Sequence, residues 1–242
     1  MKGVILAGGR GSRLFPLTYA TNKHLLPVYN KPMIYYPIQT LVKADIKEIM
    51  IVVSGEHAGH FIRVLKNGQD FGIDHLEYGY QDNPKGGIAD ALAIAQDFAD
   101  NQPITVILGD NTTDADISQP VKNFKKGALV FLKKYEDRQL LRRFGVPVFD
   151  QSGKKITKVE EKPEKPKSSY AQTGLYIYDE TVFKKIASLK PSARGELEVS
   201  DLNSLYAQKG QLLWAELAGF WSDAGTFNTL FEASKYWAEK NE

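Results

Sequence analysis

The chain has 242 residues, of which 43% are hydrophobic and 25% charged, with a formal net charge of +2 and no cysteine. That is ordinary globular composition, with length enough for a sizeable core. It excludes a disulfide framework and a thiolate zinc site, and it argues against a protein dedicated to nucleic acid. No apolar run approaches the ~18–20 residues that span a bilayer, and no signal-peptide pattern precedes the first strand. A cytoplasmic protein of one domain, without a membrane partner, is the expectation.

Val4–Leu6 is a short apolar run that empties into Ala7-Gly8-Gly9-Arg10-Gly11-Ser12-Arg13. Glycines let the backbone approach a ligand and adopt positive φ, and their N–H groups can converge on phosphate oxygens. Arg13 and Lys23 supply counter-charge. The plainer alternative is a tight strand-to-loop turn. The loop lacks the G-x-x-x-x-G-K-[ST] pattern, and G-x-G-x-x-G fails because Leu14 stands three residues after Gly11.

Further along, Pro32 is expected in the first turn of a helix running to about Lys43. Ile49–Val53 and Ile104–Leu108 are nearly continuous and β-branched, as strands buried on both faces read. Ile88, Leu92 and Ala95 recur at helical spacing, so Gly87 to Phe98 reads as an amphipathic helix. The alternation predicts a doubly wound sheet with helices on both sides. His57 and His60 have i, i+3 spacing, but without a third ligand they read as a solvated face. The basic stretch Lys122 to Arg143 reads as a solvated rim.

In the second half Gly127–Lys134 and Tyr170–Tyr178 read as strands. Val146–Phe149 and Ile156–Glu160 flank the turn residues Gln151-Ser152-Gly153, a hairpin signature. Helices are expected near Glu180–Ala187 and Glu198–Gln208. In a terminal helix Phe227, Leu230, Phe231, Ser234 and Ala238 share a face.

Asp110 follows the Ile104–Leu108 strand, where ligands of open α/β sheets sit. Asp223 lies in an aromatic-to-small-residue corner. Two carboxylates facing a polyphosphate commonly hold Mg²⁺; the alternative is that both cap helices. Gly145, Glu161-Lys162 and Arg194 make a candidate second pocket for a sugar phosphate. On residue chemistry alone, Glu161-Lys162 reads as a solvated pair.

The order L-A-G-G-R-G-S-R-L, Lys23 with L-L-P, L-G-D-N, F-G-V, E-E-K-P, Y-A-Q-T-G-L-Y, P-S-A-R-G-E-L-E-V-S-D-L-N and W-S-D-A-G-T resembles the sugar-1-phosphate nucleotidylyltransferases along the whole chain. The P-S-A-R-G-E-L-E stretch with W-S-D-A-G-T resembles the thymidylyl-transferring branch.

The resemblance implies a single nucleotidyltransferase domain over 1–242. Its sheet would be mostly parallel and Rossmann-like, with added strands and helices forming a sugar-binding lobe. About 1–125 would be the nucleotide half and about 126–242 the sugar-phosphate half. It implies the joining of dTTP and glucose 1-phosphate into dTDP-glucose and pyrophosphate, with Mg²⁺ on Asp110 and Asp223. Leu6, Gly8, Gly9, Gly11, Ser12, Arg13, Gln81, Gly86, Gly87 and Asp110 would bind the nucleotide. Asn111, Gly145, Glu161, Lys162, Gln172 and Arg194 would bind the sugar phosphate. Arg13, Lys23 and Lys162 would be catalytic. The Gln81 amide would both donate to and accept from the pyrimidine.

Three departures stand out. Asn111 is followed by Thr112-Thr113, where the family has an apolar-aromatic pair. About three extra residues lie between Asp137 and Phe144. Gln172 replaces the usual valine beside the sugar. UTP or CTP use, or nucleotide-sugar binding without turnover, remain alternatives. Small-molecule substrates are the expected partners, nucleic acid is not, and homo-oligomerisation stays open.

Overall fold

The computed structural model describes residues 1–240. β1 (Lys2–Ala7) leads into three short 3-10 turns, at Ser12–Leu14, Leu17–Tyr19 and Lys23–Leu25. A small hairpin, β2 (Pro27–Val28) and β3 (Lys31–Pro32), precedes α1 (Tyr35–Lys43). Then come β4 (Glu48–Val53), α2 (Ala58–Leu65), β5 (His75–Tyr80), α3 (Ile88–Ala93), α4 (Gln96–Ala99) and β6 (Ile104–Leu108). β7 (Thr112–Thr113), α5 (Ser118–Asn123) and β8 (Ala128–Lys134) follow. The antiparallel pair β9 (Gly145–Phe149) and β10 (Ile156–Glu161) precedes β11 (Tyr170–Tyr178). The chain closes with α6 (Val182–Ile186), α7 (Val199–Gln208), β12 (Leu212–Glu216), β13 (Trp221–Ser222) and α8 (Phe227–Lys240).

Seven strands form one sheet in the order β12-β8-β11-β6-β1-β4-β5. Four of its strand pairings are parallel; only β11 runs against its neighbours, β6 and β8. The period-two alternation of each strand splits the core into two layers. Val4 and Leu6 of β1 face α3, α6 and α7, whereas Ile5 and Ala7 face α1 and α2. The doubly wound, mostly parallel architecture expected from the apolar runs is therefore present. β1 and β6 are direct neighbours, paired from Lys2↔Ile104 to Leu6↔Leu108. That register brings the glycine loop after β1 and Asp110 after β6 to the same sheet edge.

Three local expectations need correction. Pro32 is not in a helix: it pairs with Pro27, and the Met33 and Ile34 N–H groups bond back to the Leu26 and His24 carbonyls. Those bonds commit the backbone elsewhere, so α1 starts only at Tyr35. The expected Gly87–Phe98 helix is two pieces, because Ala95 leaves helical geometry (ψ 9°) between α3 and α4. On α8, the face that packs is Leu230, Ala233 and Trp237 against Val28, Met33 and Tyr36. Phe227 and Phe231, placed on the packing face by the sequence pattern, are exposed. The rotation is set by Tyr236, which stacks on Phe220 at 3.9 Å between ring centroids and donates to Asp114.

This orientation of α8 has a measurable consequence. Phe231→Ser should change unfolding free energy by less than about 0.5 kcal/mol, as surface substitutions usually do. Trp237→Ala, which empties an aromatic cluster, should cost about 3–5 kcal/mol. Urea denaturation of the two variants checks the assignment; the reverse ranking would place the wrong face inward.

Candidate active site

Two cavities lie over the C-terminal ends of β1 and β6, with volumes of about 360 and 400 Å³. They share Arg13, Ile88, Leu108 and Asp110 as common walls, so they form one cleft in two parts. Each is large enough for a small polar ligand.

The first part is floored by Leu6 and walled by Gly8, Gly9, Lys23, Gln81 and Gly87. The loop backbone packs closely against the ends of the Gln81 and Lys23 side chains, which a side chain on the loop would displace. A Cβ on Gly8 would lie 2.7 Å from the Gln81 Oε1, and one on Gly9 3.1 Å from the Lys23 Cε. Gly11 has φ 66°, a left-handed value that favours glycine, and starts the turn that carries Arg13. Gly11 and Ser12 do not line either cavity; their contribution is to shape the loop.

Lys23 Nζ lies 2.6 Å from Asp110 Oδ2, and both side chains are about nine-tenths buried. Burial alone would raise the Asp110 carboxyl. The Lys23 ammonium, with hydrogen bonds from Lys23 and Asn111, outweighs burial and holds it below the usual carboxylate range. Asp223 shows the opposite balance. It is pushed up by burial first and by the Asp110 charge second, against Arg143 and Arg13. Arg143 Nη2 stands 3.1 Å from Asp223 Oδ2. The corner is completed by Gly225, where a Cβ would lie 3.3 Å from Arg13 Nη2 and 3.5 Å from Asp110 Oδ2. Arg13, Asp110 and Asp223 therefore converge from three distant stretches of chain.

The Gln81 nitrogen donates to Asp90 Oδ2 at 2.8 Å and approaches the Gly87 carbonyl at 3.4 Å. Its oxygen faces Gly8 and is the end left for a ligand. The expected dual donor-acceptor role is thus reduced to that of an acceptor, suited to a ring N–H. Gly86 and Gly87 serve a second purpose. Leu197 N–H donates to the Gly86 carbonyl at 2.8 Å, and Ala89 N–H to the Leu197 carbonyl at 3.2 Å. A Cβ on Gly87 would strike the Leu197 backbone. Gly87 lines the cavity and buried Gly86 does not.

The second part is lined by Asn111, Gly145, Glu161, Lys162, Gln172, Tyr176, Trp221 and Asp223. Asn111 is largely consumed as a brace: its Oδ1 accepts from Gly174 N–H and Trp221 Nε1, and its Nδ2 donates to Asp110. Glu161 accepts from the Ser200 hydroxyl at 2.5 Å and lies 3.4 Å from Lys162 Nζ. Lys162 sits in the left-handed region (φ 45°), held by an N–H bond to the Phe144 carbonyl. That backbone costs ~1 kcal/mol for a non-glycine residue.

Arg194 does not line the cavity. Its guanidinium bonds Glu198 and Glu196, and it stands 3.7 Å behind Glu161. The expected direct grip on the sugar phosphate is replaced, in this conformation, by a hold on three carboxylates.

Sequence reasoning missed several residues. Lys85 and Glu196 wall the first cavity, and Arg143 and Tyr176 the second. Arg143 could not be picked out because its partner, Asp223, lies 80 residues away. Buried His24 was overlooked as well. Its Nδ1 lies 2.7 Å from the Asn22 side-chain oxygen, beneath the loop. His57 and His60 stay a pair at the start of α2. Among the described residues no group of three His, Cys, Asp or Glu could hold a metal ion unaided.

A glycine-lined cleft at the carboxyl edge of a doubly wound sheet, with Lys23, Arg13, Asp110 and Asp223 converging at its centre, defines a phosphate-handling α/β protein. The nucleotidyl transferase family model matches residues 2–240, and the chain belongs to that family. It is 43% identical over 242 residues to glucose-1-phosphate thymidylyltransferase of Neisseria meningitidis, covering 98% of this chain and 82% of that protein. It is 42% identical to the same-named protein of Mycolicibacterium smegmatis, over 98% of this chain and 82% of that one. A Bacillus anthracis crystal structure solved with sucrose, and described as this thymidylyltransferase, superposes with a TM-score of 0.90 at 48% identity. It covers 98% of this chain and 94% of that one. UDP-glucose pyrophosphorylase superposes with a TM-score of 0.84 at 23% identity, over 99% of this chain and 98% of that one, and shares the fold. No helix among the described residues is long and apolar enough to cross a membrane.

His24 generates a pH prediction. Burial, then the neighbouring Lys23 charge, lowers its pKa from 6.5 to about 3. The unfolded chain therefore takes up this proton first as pH falls below 6.5. Folded stability should drop by about 1.4 kcal/mol per pH unit from this group between roughly pH 6 and 4. Urea titrations should show that His24→Gln flattens this slope by nearly one proton. An unchanged slope would contradict a neutral, buried His24.

Proposed function

We propose that the chain transfers the thymidylyl group of dTTP to glucose 1-phosphate, giving dTDP-glucose and pyrophosphate. The observation that carries this reading is the shared wall. One cavity has the glycine loop, the other has Glu161 and Lys162, and they meet at Arg13 and Asp110. A nucleotide triphosphate in the first and a sugar phosphate in the second would bring their phosphates together at that wall.

The residues divide the work by charge. The Gly8–Gly9 backbone admits the triphosphate, Arg13 neutralises the departing pyrophosphate, and Lys23 balances charge at Asp110. The Gln81 oxygen accepts from the pyrimidine ring N–H. Lys162 holds the sugar phosphate, and Glu161, oriented by Ser200 and Arg194, accepts from sugar hydroxyls. A sugar phosphate oxygen attacks the α-phosphorus in line; the new P–O bond forms as the bond to pyrophosphate breaks. No general base is needed, because the phosphate monoester is already anionic near neutral pH. Positioning and charge stabilisation do most of the catalysis.

Asp110 and Asp223 suit Mg²⁺: both offer oxygen donors, and their mutual repulsion favours a cation between them. Bound there, Mg²⁺ would supply charge neutralisation and polarise a phosphoryl oxygen. Lys23 holds the Asp110 carboxyl low, and Arg143 opposes the burial and Asp110 charge that raise Asp223.

Pyrophosphate release should be fastest with dTTP, glucose 1-phosphate and Mg²⁺, in a panel that includes UTP, CTP, ATP and GTP with galactose, mannose and glucosamine 1-phosphates. One methyl separates thymine from uracil, a difference of roughly 1–3 kcal/mol, so UTP should trail by about 10–200-fold. Asp110→Asn should lower turnover at least about a hundredfold with the fold retained. Equal rates with dTTP and UTP would assign a broader uridylyl activity. No pyrophosphate from any pair would leave a binding protein without turnover.

A further inference from the structure

Gln172 is the polar residue that breaks the resemblance in the sugar pocket, and its surroundings give it a direction. It lies on β11 beyond the last pairing of that strand with β6, Leu175↔Ile107, and is 5% exposed. Its carboxamide oxygen accepts from Asn203 Nδ2 at 2.7 Å. Asn203 is fixed in turn by the Tyr178 hydroxyl, which donates to its Oδ1 at 2.8 Å. The oxygen end of Gln172 is therefore tied into the protein, and the nitrogen end faces the cavity.

Two neighbours keep that nitrogen approachable. Gly145 also lines the cavity, and a Cβ there would lie 3.2 Å from the Gln172 nitrogen. Any side chain at 145 would crowd the amide. Tyr176, four residues along the same strand, also lines the cavity beside Gln172. Burial, then Glu161, raises the Tyr176 hydroxyl far above its ordinary range, so it stays protonated. A primary amide nitrogen carries two N–H groups that a ligand in the cavity can use. Valine at this position would offer neither donor.

We propose that Gln172 is a specificity-determining residue. Its amide N–H, together with the Tyr176 hydroxyl, donates to one hydroxyl oxygen of the hexose ring. The pocket thereby selects a hexose 1-phosphate that keeps an oxygen acceptor at that position over its deoxy counterpart. The inference rests on the sugar-phosphate reading of this cavity. A polar site built for a hydroxyl rejects the analogue lacking it, because its buried donors are then left unpaired.

The test compares glucose 1-phosphate with its 2-, 3-, 4- and 6-deoxy analogues. The proteins are the wild type, Gln172→Val and Gln172→Met. Gln172→Met keeps the side-chain length with only a weak sulfur acceptor and no N–H donor, so it covers the case in which Gln172→Val fails to fold. Both kcat/KM with dTTP and affinity by calorimetry are measured. In the wild type one deoxy analogue should be at least about tenfold poorer than glucose 1-phosphate. In both variants that ratio should collapse to within about twofold, while the other ratios hold. Ratios that stay the same in all three proteins would overturn the proposal with the activity left standing. Collapsed affinity ratios without pyrophosphate release would uphold the proposal and remove the activity instead. Failure of all five sugar phosphates to bind would overturn both.

Discussion

Two buried carboxylates at one sheet edge are the constraint on which the rest of this structure depends. Asp110 is nearly enclosed, and Asp223 is raised first by its own burial and then by the Asp110 charge. Ionised groups taken out of water cost several kcal/mol each unless paired. The protein answers with Lys23 on Asp110 and Arg143 on Asp223. Asp110 still raises Asp223 against its arginine, a repulsion that a divalent cation bound with the polyphosphate would relieve. Lys23, Arg143 and Arg13 thus act as the permanent part of a charge balance whose remainder would arrive with the substrates.

The sheet makes that arrangement geometrically inevitable. Parallel pairing of β1 with β6 stops at the same level on both strands, so their following loops meet. β11 runs the other way beside β6 and delivers Gln172 and Tyr176 to the neighbouring cavity. β13 pairs with β7 through Trp221↔Thr113 and Ser222↔Thr112, which places Asp223 next to the residues after Asp110. The Asn111 side chain then fastens the junction, bridging Asp110, Gly174 and Trp221. Replacing the apolar-aromatic pair by Thr112-Thr113 leaves this brace in place. The buried Thr112 hydroxyl has no hydrogen-bond partner among the described residues.

Much of this was readable from the amino-acid order where local rules dominate. The runs Val4–Leu6, Ile49–Val53 and Ile104–Leu108 are buried strands because they are nearly continuous in apolar and β-branched residues, with Thr105 as the one hydroxyl, and they became the centre of the sheet. The glycine loop was legible because three glycines crowd into a few residues directly after a strand, and a side chain at Gly8 or Gly9 would displace Gln81 or Lys23 from the cavity wall. Where several partners compete, the order was less informative. β5 and β12 are edge strands with one neighbour each and mixed exposure, so no strong pattern marks them. The face of α8 turned on Asp114 and Phe220, more than 100 residues apart in the chain, which a helical wheel cannot see. Arg194 and Gln81 carry the right chemistry for binding, yet their bonds to Glu198, four residues on, and Asp90, nine residues on, form across loop segments whose course the amino-acid order does not dictate.

The central claim is that Asp110 and Asp223 share one divalent cation beside the bound nucleotide. Electron paramagnetic resonance of Mn²⁺, titrated into the protein with a non-hydrolysable dTTP analogue, measures it directly. One tight Mn²⁺ per chain, weakened at least about tenfold by either Asp110→Asn or Asp223→Asn, is the result the account predicts. Equal Mn²⁺ affinity in the wild type and both variants would contradict it.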